Sequence, residues 1–163
     1  SFLYCQRSEG RMKVVVLGGS KGLGQLLSAY FKLKNSDVKE FSKNSSFDEV
    51  IAVAKTCDVF VCNAYADGMQ INYIETLKDY NIKIIVSGSI AADSPDPNMP
   101  VYSLDKKNLR ERVIELSQSR NTCKASILLL TLTGTAVKEY QTIHNTLDYW
   151  LENDTINEIR FTI

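Results

Sequence analysis

The feature that most constrains this chain is a glycine-rich turn, Gly18-Gly19-Ser20-Lys21-Gly22-Leu23-Gly24, set directly between two segments of different periodicity. Before it, Lys13-Val14-Val15-Val16-Leu17 is a β-branched run of the kind found in a strand covered on both faces. After it, Leu23, Leu26, Leu27, Tyr30 and Phe31 recur three and four apart, which gathers them on one side of a helix. A strand, a turn of glycines and a helix with nothing between them leave few architectures open.

The alternation continues along the chain. Val38 to Phe41 predicts a short strand, followed by the polar stretch Ser42 to Ser46 and a helix using Phe47, Val50, Ile51 and Ala54. Asp58 to Cys62 predicts the next strand, and Ile71, Ile74, Leu77 and Lys78 mark a helix from about Gln70 to Tyr80. Ile82 to Val86 then predicts a strand, Val101 to Ser119 a helix, Ala125 to Leu130 a strand, Ala136 to Leu151 a helix and Ile156 to Phe161 a last strand. Regular βα alternation calls for an α/β fold: a doubly wound, mostly parallel sheet of about six strands with helices on both faces. Too few residues lie between Phe41 and Asp58 for the helix, strand and helix of a full mononucleotide-binding half, so the expected omission is the outermost strand.

A length of 163 residues suits one domain with one main core, here expected over residues 12–163. Residues 1–11 lack periodicity and are expected to be a disordered leader, an expression remnant or sequence upstream of a start at Met12. With a formal net charge of zero, nucleic acid is a poor expected partner and a small metabolite a better one. The longest apolar run, Ala125 to Leu130 with its neighbours, is too short to cross a membrane. Cys5, Cys57, Cys62 and Cys123 show no paired spacing, which fits free thiols in a reducing, cytoplasmic setting, and with a single histidine no metal site is expected. His144 reads as an ordinary helix residue.

In the turn, Gly18 permits the tight bend, Gly22 lets backbone approach a phosphate and Gly24 lets helix and strand pack closely, while the amides at the helix start face a pyrophosphate. The Gly-Lys-Ser/Thr ending of a nucleoside-triphosphate loop is missing. Downstream, Ser87-Gly88-Ser89-Ile90 is followed by Tyr102-Ser103-Leu104-Asp105-Lys106, with Ser89 thirteen residues before Tyr102 and Tyr102 four before Lys106. Taken alone, that tyrosine and lysine also suit a surface helix with a solvated lysine. From Met12 to about Gly134, however, the whole stretch resembles the short-chain dehydrogenase/reductase family, in its glycine spacing, its serine, tyrosine and lysine, and Asn63-Ala64-Tyr65 in the place of an Asn-Ala-Gly element.

The resemblance implies a Rossmann-like domain that binds a nicotinamide dinucleotide through Gly18, Ser20, Lys21, Gly22, Leu23, Gly24, Ser42, Lys43, Asn63, Ala64, Tyr102, Lys106, Gly134 and Thr135. Ser89, Tyr102 and Lys106 are the implied catalytic residues, with Asn72 as the candidate for the family's fourth. Residues four apart on a helix share a face, so the Lys106 ammonium can favour the Tyr102 phenolate. Ser89 can then donate to a carbonyl oxygen while Tyr102 exchanges the proton of an alkoxide.

The chain departs from the family by a Thr133-Gly134-Thr135 segment where a Pro-Gly pair is common, and by its short stretch after Gly134, which predicts an open substrate side. Two functions are therefore carried forward: a minimal carbonyl reductase or alcohol dehydrogenase, and a dinucleotide-sensing or scaffold protein completed by a partner. The resemblance also implies homodimerisation through the segments 70–80 and 101–119. Ser42 and Lys43 after the second strand, with Lys21 before the middle glycine, predict NADP(H) over NAD(H). A strand ending earlier would instead make Glu40 a ribose partner and favour NAD(H).

Overall fold

The computed structural model describes residues 10–119, 123–132, 140–153 and 156–161. Strand β1 (Lys13–Leu17) leads through the glycine turn into helix α1 (Gly22–Leu33), and β2 (Asp37–Phe41) into α2 (Phe47–Ala54). Then come β3 (Val59–Cys62), α3 (Met69–Leu77), β4 (Lys83–Ser87), a 3-10 turn (Ile90–Ala92), α4 (Pro100–Gln118), β5 (Ser126–Leu132), α5 (Tyr140–Glu152) and β6 (Glu158–Phe161). The six strands form one sheet in the order β2-β1-β3-β4-β5-β6, every neighbouring pair parallel. This is the doubly wound architecture, and among the described residues β2 forms one of its edges with no strand outside it.

Side-chain alternation along each strand divides the core in two. Val14, Val16, Val59, Val61, Ile85, Leu128 and Leu130 point to one face, where Leu27, Tyr30 and Phe31 of α1 and Ile143, Leu147 and Trp150 of α5 cover them. Val15, Leu17, Phe60, Ile84, Val86 and Leu129 point to the other, under Val50 of α2, Tyr73, Ile74 and Leu77 of α3, and Leu109, Val113 and Leu116 of α4. Central strands β1 and β3 are apolar on both faces because both are roofed. Edge strand β2 instead carries Asp37, Lys39 and Glu40, charges that discourage pairing with another chain.

Several ends differ from the sequence expectation by a residue or more. Helix α4 starts at Pro100, whose fixed φ and missing N–H suit the first helical position, and α3 stops at Leu77. Residues 1–9 lie outside the described residues, while Arg11 donates from Nε to the Asn35 carbonyl at 3.2 Å. His144 sits in α5 with its ring edge-on to Tyr30, 5.0 Å between centroids. Cys57 and Cys62 are buried and Cys123 is half-buried, and Cys5 lies outside the described residues. Among the described residues, no helix is long and apolar enough to cross a membrane, and no group of three His, Cys, Asp or Glu side chains can hold a metal ion.

Candidate functional site

Strand β1 ends where the sheet order reverses between β2 and β3, and there the glycine turn is held by hydrogen bonds from both neighbours. The Gly18 amide donates to the Phe41 carbonyl at 2.8 Å, and the Asn63 and Ala64 amides donate to the Leu17 carbonyl at 2.9 and 3.0 Å. Asn63 also donates from Nδ2 to the Gly18 carbonyl at 2.9 Å. Two glycines are dictated by contact: a Cβ on Gly18 would lie 2.6 Å from the Ala64 nitrogen, and one on Gly24 only 1.9 Å from the Gly18 carbonyl oxygen. Gly22 has open space around it but a φ of +60°, which a side chain would strain. Helix α1 has no side-chain cap and no acid in its first turn, so its positive end is not neutralised locally.

A cavity of about 670 Å³ opens beyond these strand ends. It is bordered by Gly18, Ser20 and Lys21 of the turn, Glu40, Ser42 and Lys43 at the end of β2, and Asn63, Ala64 and Tyr65 after β3. A crevice at a strand-order switch is the usual ligand position in open α/β sheets, and this volume suits a nucleotide-sized molecule. Because β2 ends at Phe41, Ser42 is the first residue beyond it. Ser42 Oγ accepts from the Asn44 amide at 3.2 Å. Glu40 receives the Ser28 hydroxyl and lies 3.6 Å from the Lys32 ammonium, so its carboxylate is already engaged by α1. Lys21 and Lys43 are exposed, with no ion-pair partner among the described residues. Leu23 packs partly into the α1-side core.

A second cluster lies at the ends of β3 and β4. Lys106, only 3% exposed, extends from α4 and donates to Gln70 Oε1 at 2.7 Å and to the Ser87 carbonyl at 2.9 Å. Its Nζ stands 5.7 Å from the Tyr102 ring centroid and 5.5 Å from that of Tyr65. The solvated lysine of a surface helix is therefore excluded. Burial pulls the Lys106 ammonium down to about 8, against the opposing pull of Cys62 and Asp105, while burial pushes the Cys62 thiol up to about 12. Tyr65 and Tyr102 meet edge to face, 4.9 Å between centroids. Ser89 precedes the 3-10 turn and caps it, its Oγ accepting from the Ala91 amide at 3.1 Å. That turn packs on α4 and is tied to β6 by an ion pair between Asp93 and Arg160 at 2.6 Å.

Gln70 is the residue the sequence reading did not single out. It is 1% exposed, on the inward stripe of α3 with Tyr73, Ile74 and Leu77. Besides receiving the Lys106 ammonium, it donates from Nε2 to the Cys62 carbonyl at 3.0 Å and to Ser87 Oγ at 2.8 Å. A glutamine where helical periodicity demands an apolar side chain was the available signal. Asn72 lies on the opposite, exposed side of α3, its carbonyl accepting from Thr76 Oγ1 at 2.9 Å. Gly134 and Thr135 lie outside the described residues. Gly88 is required where it stands, because a Cβ there would lie 2.3 Å from Thr131 Oγ1.

No protein-family model matches the sequence, and no curated protein matches it. Solved structures do match. A short-chain dehydrogenase/reductase from Burkholderia phymatum in complex with NAD superposes with a TM-score of 0.63 at 10% identity, over 92% of this chain and 88% of that one. A 3-ketoacyl-(acyl-carrier-protein) reductase from Brucella melitensis complexed with NADH gives 0.64 at 9% identity, over 91% and 96%. A metagenomic short-chain oxidoreductase in complex with NADP gives 0.62 at 14% identity, over 93% and 98%. At such identities the likeness is one of fold: the parallel sheet and helix placement of this chain are those of short-chain dehydrogenase/reductase structures.

Proposed function

We propose that this chain, built on the fold of the short-chain dehydrogenases and reductases, binds NADP(H) and interconverts a small-molecule carbonyl compound and its alcohol at Ser89, Tyr102 and Lys106. The observation that carries this reading is the buried Lys106 ammonium, held by Gln70 and Ser87 against the face of Tyr102 beside the glycine-turn cavity. Burying a lysine among uncharged acceptors is costly, and this one stands over the ring of the tyrosine that would exchange the proton.

The nicotinamide would supply or accept the hydride. Ser89 Oγ would donate to the carbonyl oxygen as negative charge develops there. In reduction the Tyr102 hydroxyl would pass its proton to that oxygen; in oxidation it would take the proton back. Gln70 and the Ser87 carbonyl occupy two of the three N–H groups of Lys106, whose Nζ stands over the Tyr65 and Tyr102 rings. With a panel of small ketones and alcohols, nicotinamide absorbance should change steadily with the parent protein and at least 100-fold more slowly with Tyr102→Phe. Cofactor binding without turnover by any pair in the panel would reject the enzyme.

Preference for NADP(H) rests on the same cavity. Ser42 follows β2 directly, Lys21 and Lys43 flank the opening, and Glu40 is drawn onto α1 by Ser28 and Lys32. Hydroxyl and ammonium groups suit a 2′-phosphate, while a free carboxylate at the strand end would repel it. A homodimer through α3 and α4 belongs to this proposal, and sedimentation of an 18 kDa species alone, with NADP(H) present at micromolar protein, would remove it. The second reading, a dinucleotide sensor or scaffold, is favoured by one observation: Ser89, Tyr102 and Lys106 do not line the cavity. A tight cofactor complex that turns over no substrate and recruits a partner would establish it.

A further inference from the structure

Tyr65 occupies the place where the resembled family has glycine, and it stands between the two halves of the proposed site. It borders the cavity on one side. On the other it packs edge-on against Tyr102 and lies 5.5 Å from the Lys106 ammonium. The backbone leading to it is pinned, because the Ala64 amide is bonded to Leu17 and Ala64 sits against Gly18. Beyond it, Ala66 and Asp67 are exposed and belong to no helix or strand. The cavity can thus hold the adenosine half of a dinucleotide, and the path onward to Tyr102 crosses the Tyr65 ring.

We propose that Tyr65 determines which nucleotides the cleft admits: seated on Tyr102, it leaves room for the adenosine half alone, and a whole dinucleotide binds only when the ring moves aside. This rests on the cofactor reading above and deepens it. The seated ring is held by an aromatic edge contact, by the cation beneath it and by the hydrogen bond between its hydroxyl and the Asp105 carboxylate, interactions that a second ribose and its base must replace. Apparent affinity for the whole dinucleotide is therefore lowered by the fraction of molecules with the ring displaced, whereas affinity for half of it is untouched. Tyr65 acts here on admission to the site, with no part in the proton exchange.

Calorimetric titration of the whole chain with adenosine 2′,5′-bisphosphate and with NADP⁺ tests this. Tyr65→Ala should tighten NADP⁺ about tenfold or more and change the bisphosphate less than about twofold, while Tyr65→Phe, which keeps the ring and loses only the hydroxyl bonded to Asp105, should tighten NADP⁺ less than Tyr65→Ala does. As a readout on the parent itself, the ¹³C-labelled Tyr65 ring resonance, assigned by its loss in Tyr65→Phe, should shift with NADP⁺ and stay in place with the bisphosphate. Equal changes for the two ligands in Tyr65→Ala, or equal shifts of the resonance, overturn the role of Tyr65 and leave cofactor binding standing. Failure of the parent and both variants to bind either ligand overturns both.

Discussion

Replacing Lys106 by methionine isolates the cost of burying its charge. The ammonium is almost wholly buried, and burial lowers it from 10.5 to about 8. Between those values the unfolded chain binds more protons than the folded one, so stability rises with pH through that window and the full cost is present below about pH 8. A gap of about 2.5 at 1.36 kcal/mol each amounts to about 3 kcal/mol, of which about 2.5 kcal/mol is relieved between pH 7 and pH 10. Lys106→Met has no such cost, but it strands Gln70 Oε1 at about 1–3 kcal/mol and leaves the Ser87 carbonyl with the longer bond from Gln70 Nε2 at 3.4 Å, a loss independent of pH over this range. The two effects offset each other near pH 7, where parent and variant should differ by less than about 2 kcal/mol. By pH 10 the variant should have fallen behind the parent by about 2.5 kcal/mol more. Urea unfolding of both proteins at several pH values, analysed with matching slopes, gives this difference directly. A difference constant to within about 0.5 kcal/mol from pH 7 to pH 10 refutes the reasoning, because Lys106 would then carry the same charge folded and unfolded.

Three further outcomes are expected. Gly24→Ala drives a Cβ into the Gly18 carbonyl and should cost more than about 4 kcal/mol, whereas Gly22→Ala meets only backbone strain of about 1–2 kcal/mol; equal urea midpoints for the two would contradict the packing of the turn. Lys21→Ala and Lys43→Ala should each weaken NADP(H) several-fold, on the order of 1 kcal/mol, and barely change NAD(H); calorimetry showing equal losses for both cofactors would remove the 2′-phosphate assignment. Lys83, buried at the start of β4, donates to the Leu151 carbonyl at 2.9 Å and the Trp150 carbonyl at 3.3 Å at the end of α5, so Lys83→Met should destabilise by about 1–3 kcal/mol in thermal melts, and an unchanged melting temperature would show those bonds to be dispensable.

What the sequence made legible was whatever depends on local periodicity. The valines of β1 and the leucines of α1 repeat at strand and helix spacings, and the shortage of residues between Phe41 and Asp58 placed β2 at the edge. The resemblance singled out Lys106 four residues after Tyr102, and its burial follows from sharing a stripe of α4 with Leu109, Val113 and Leu116. The partner of Lys106 was not found. Asn72 has the side chain the resemblance asks for and stands on the exposed side of α3, while Gln70 faces inward. Taking Ile71, Ile74, Leu77 and Lys78 as the inward stripe rotated that helix from its observed face of Gln70, Tyr73, Ile74 and Leu77, and the rotation hid the glutamine. Nor could spacing show that Tyr65 would fold over Tyr102, because that contact joins residues from different elements and depends on how β3 and α4 pack.

The all-parallel sheet also sets an order of events while the chain is being made. Parallel neighbours cannot be joined by a tight hairpin, so each pairing waits for a crossover. Val14 finds Val38 of β2 after one helix, yet its partner on the other side is Val59, which emerges only after β2 and α2 are complete. During that interval the apolar run Val14 to Leu17 keeps one backbone edge open at the place where β3 will later lie. Since β1 is the strand from which the glycine turn springs, the nascent chain cannot complete that turn's hydrogen bonds to Asn63 and Ala64 before the third strand has left the ribosome.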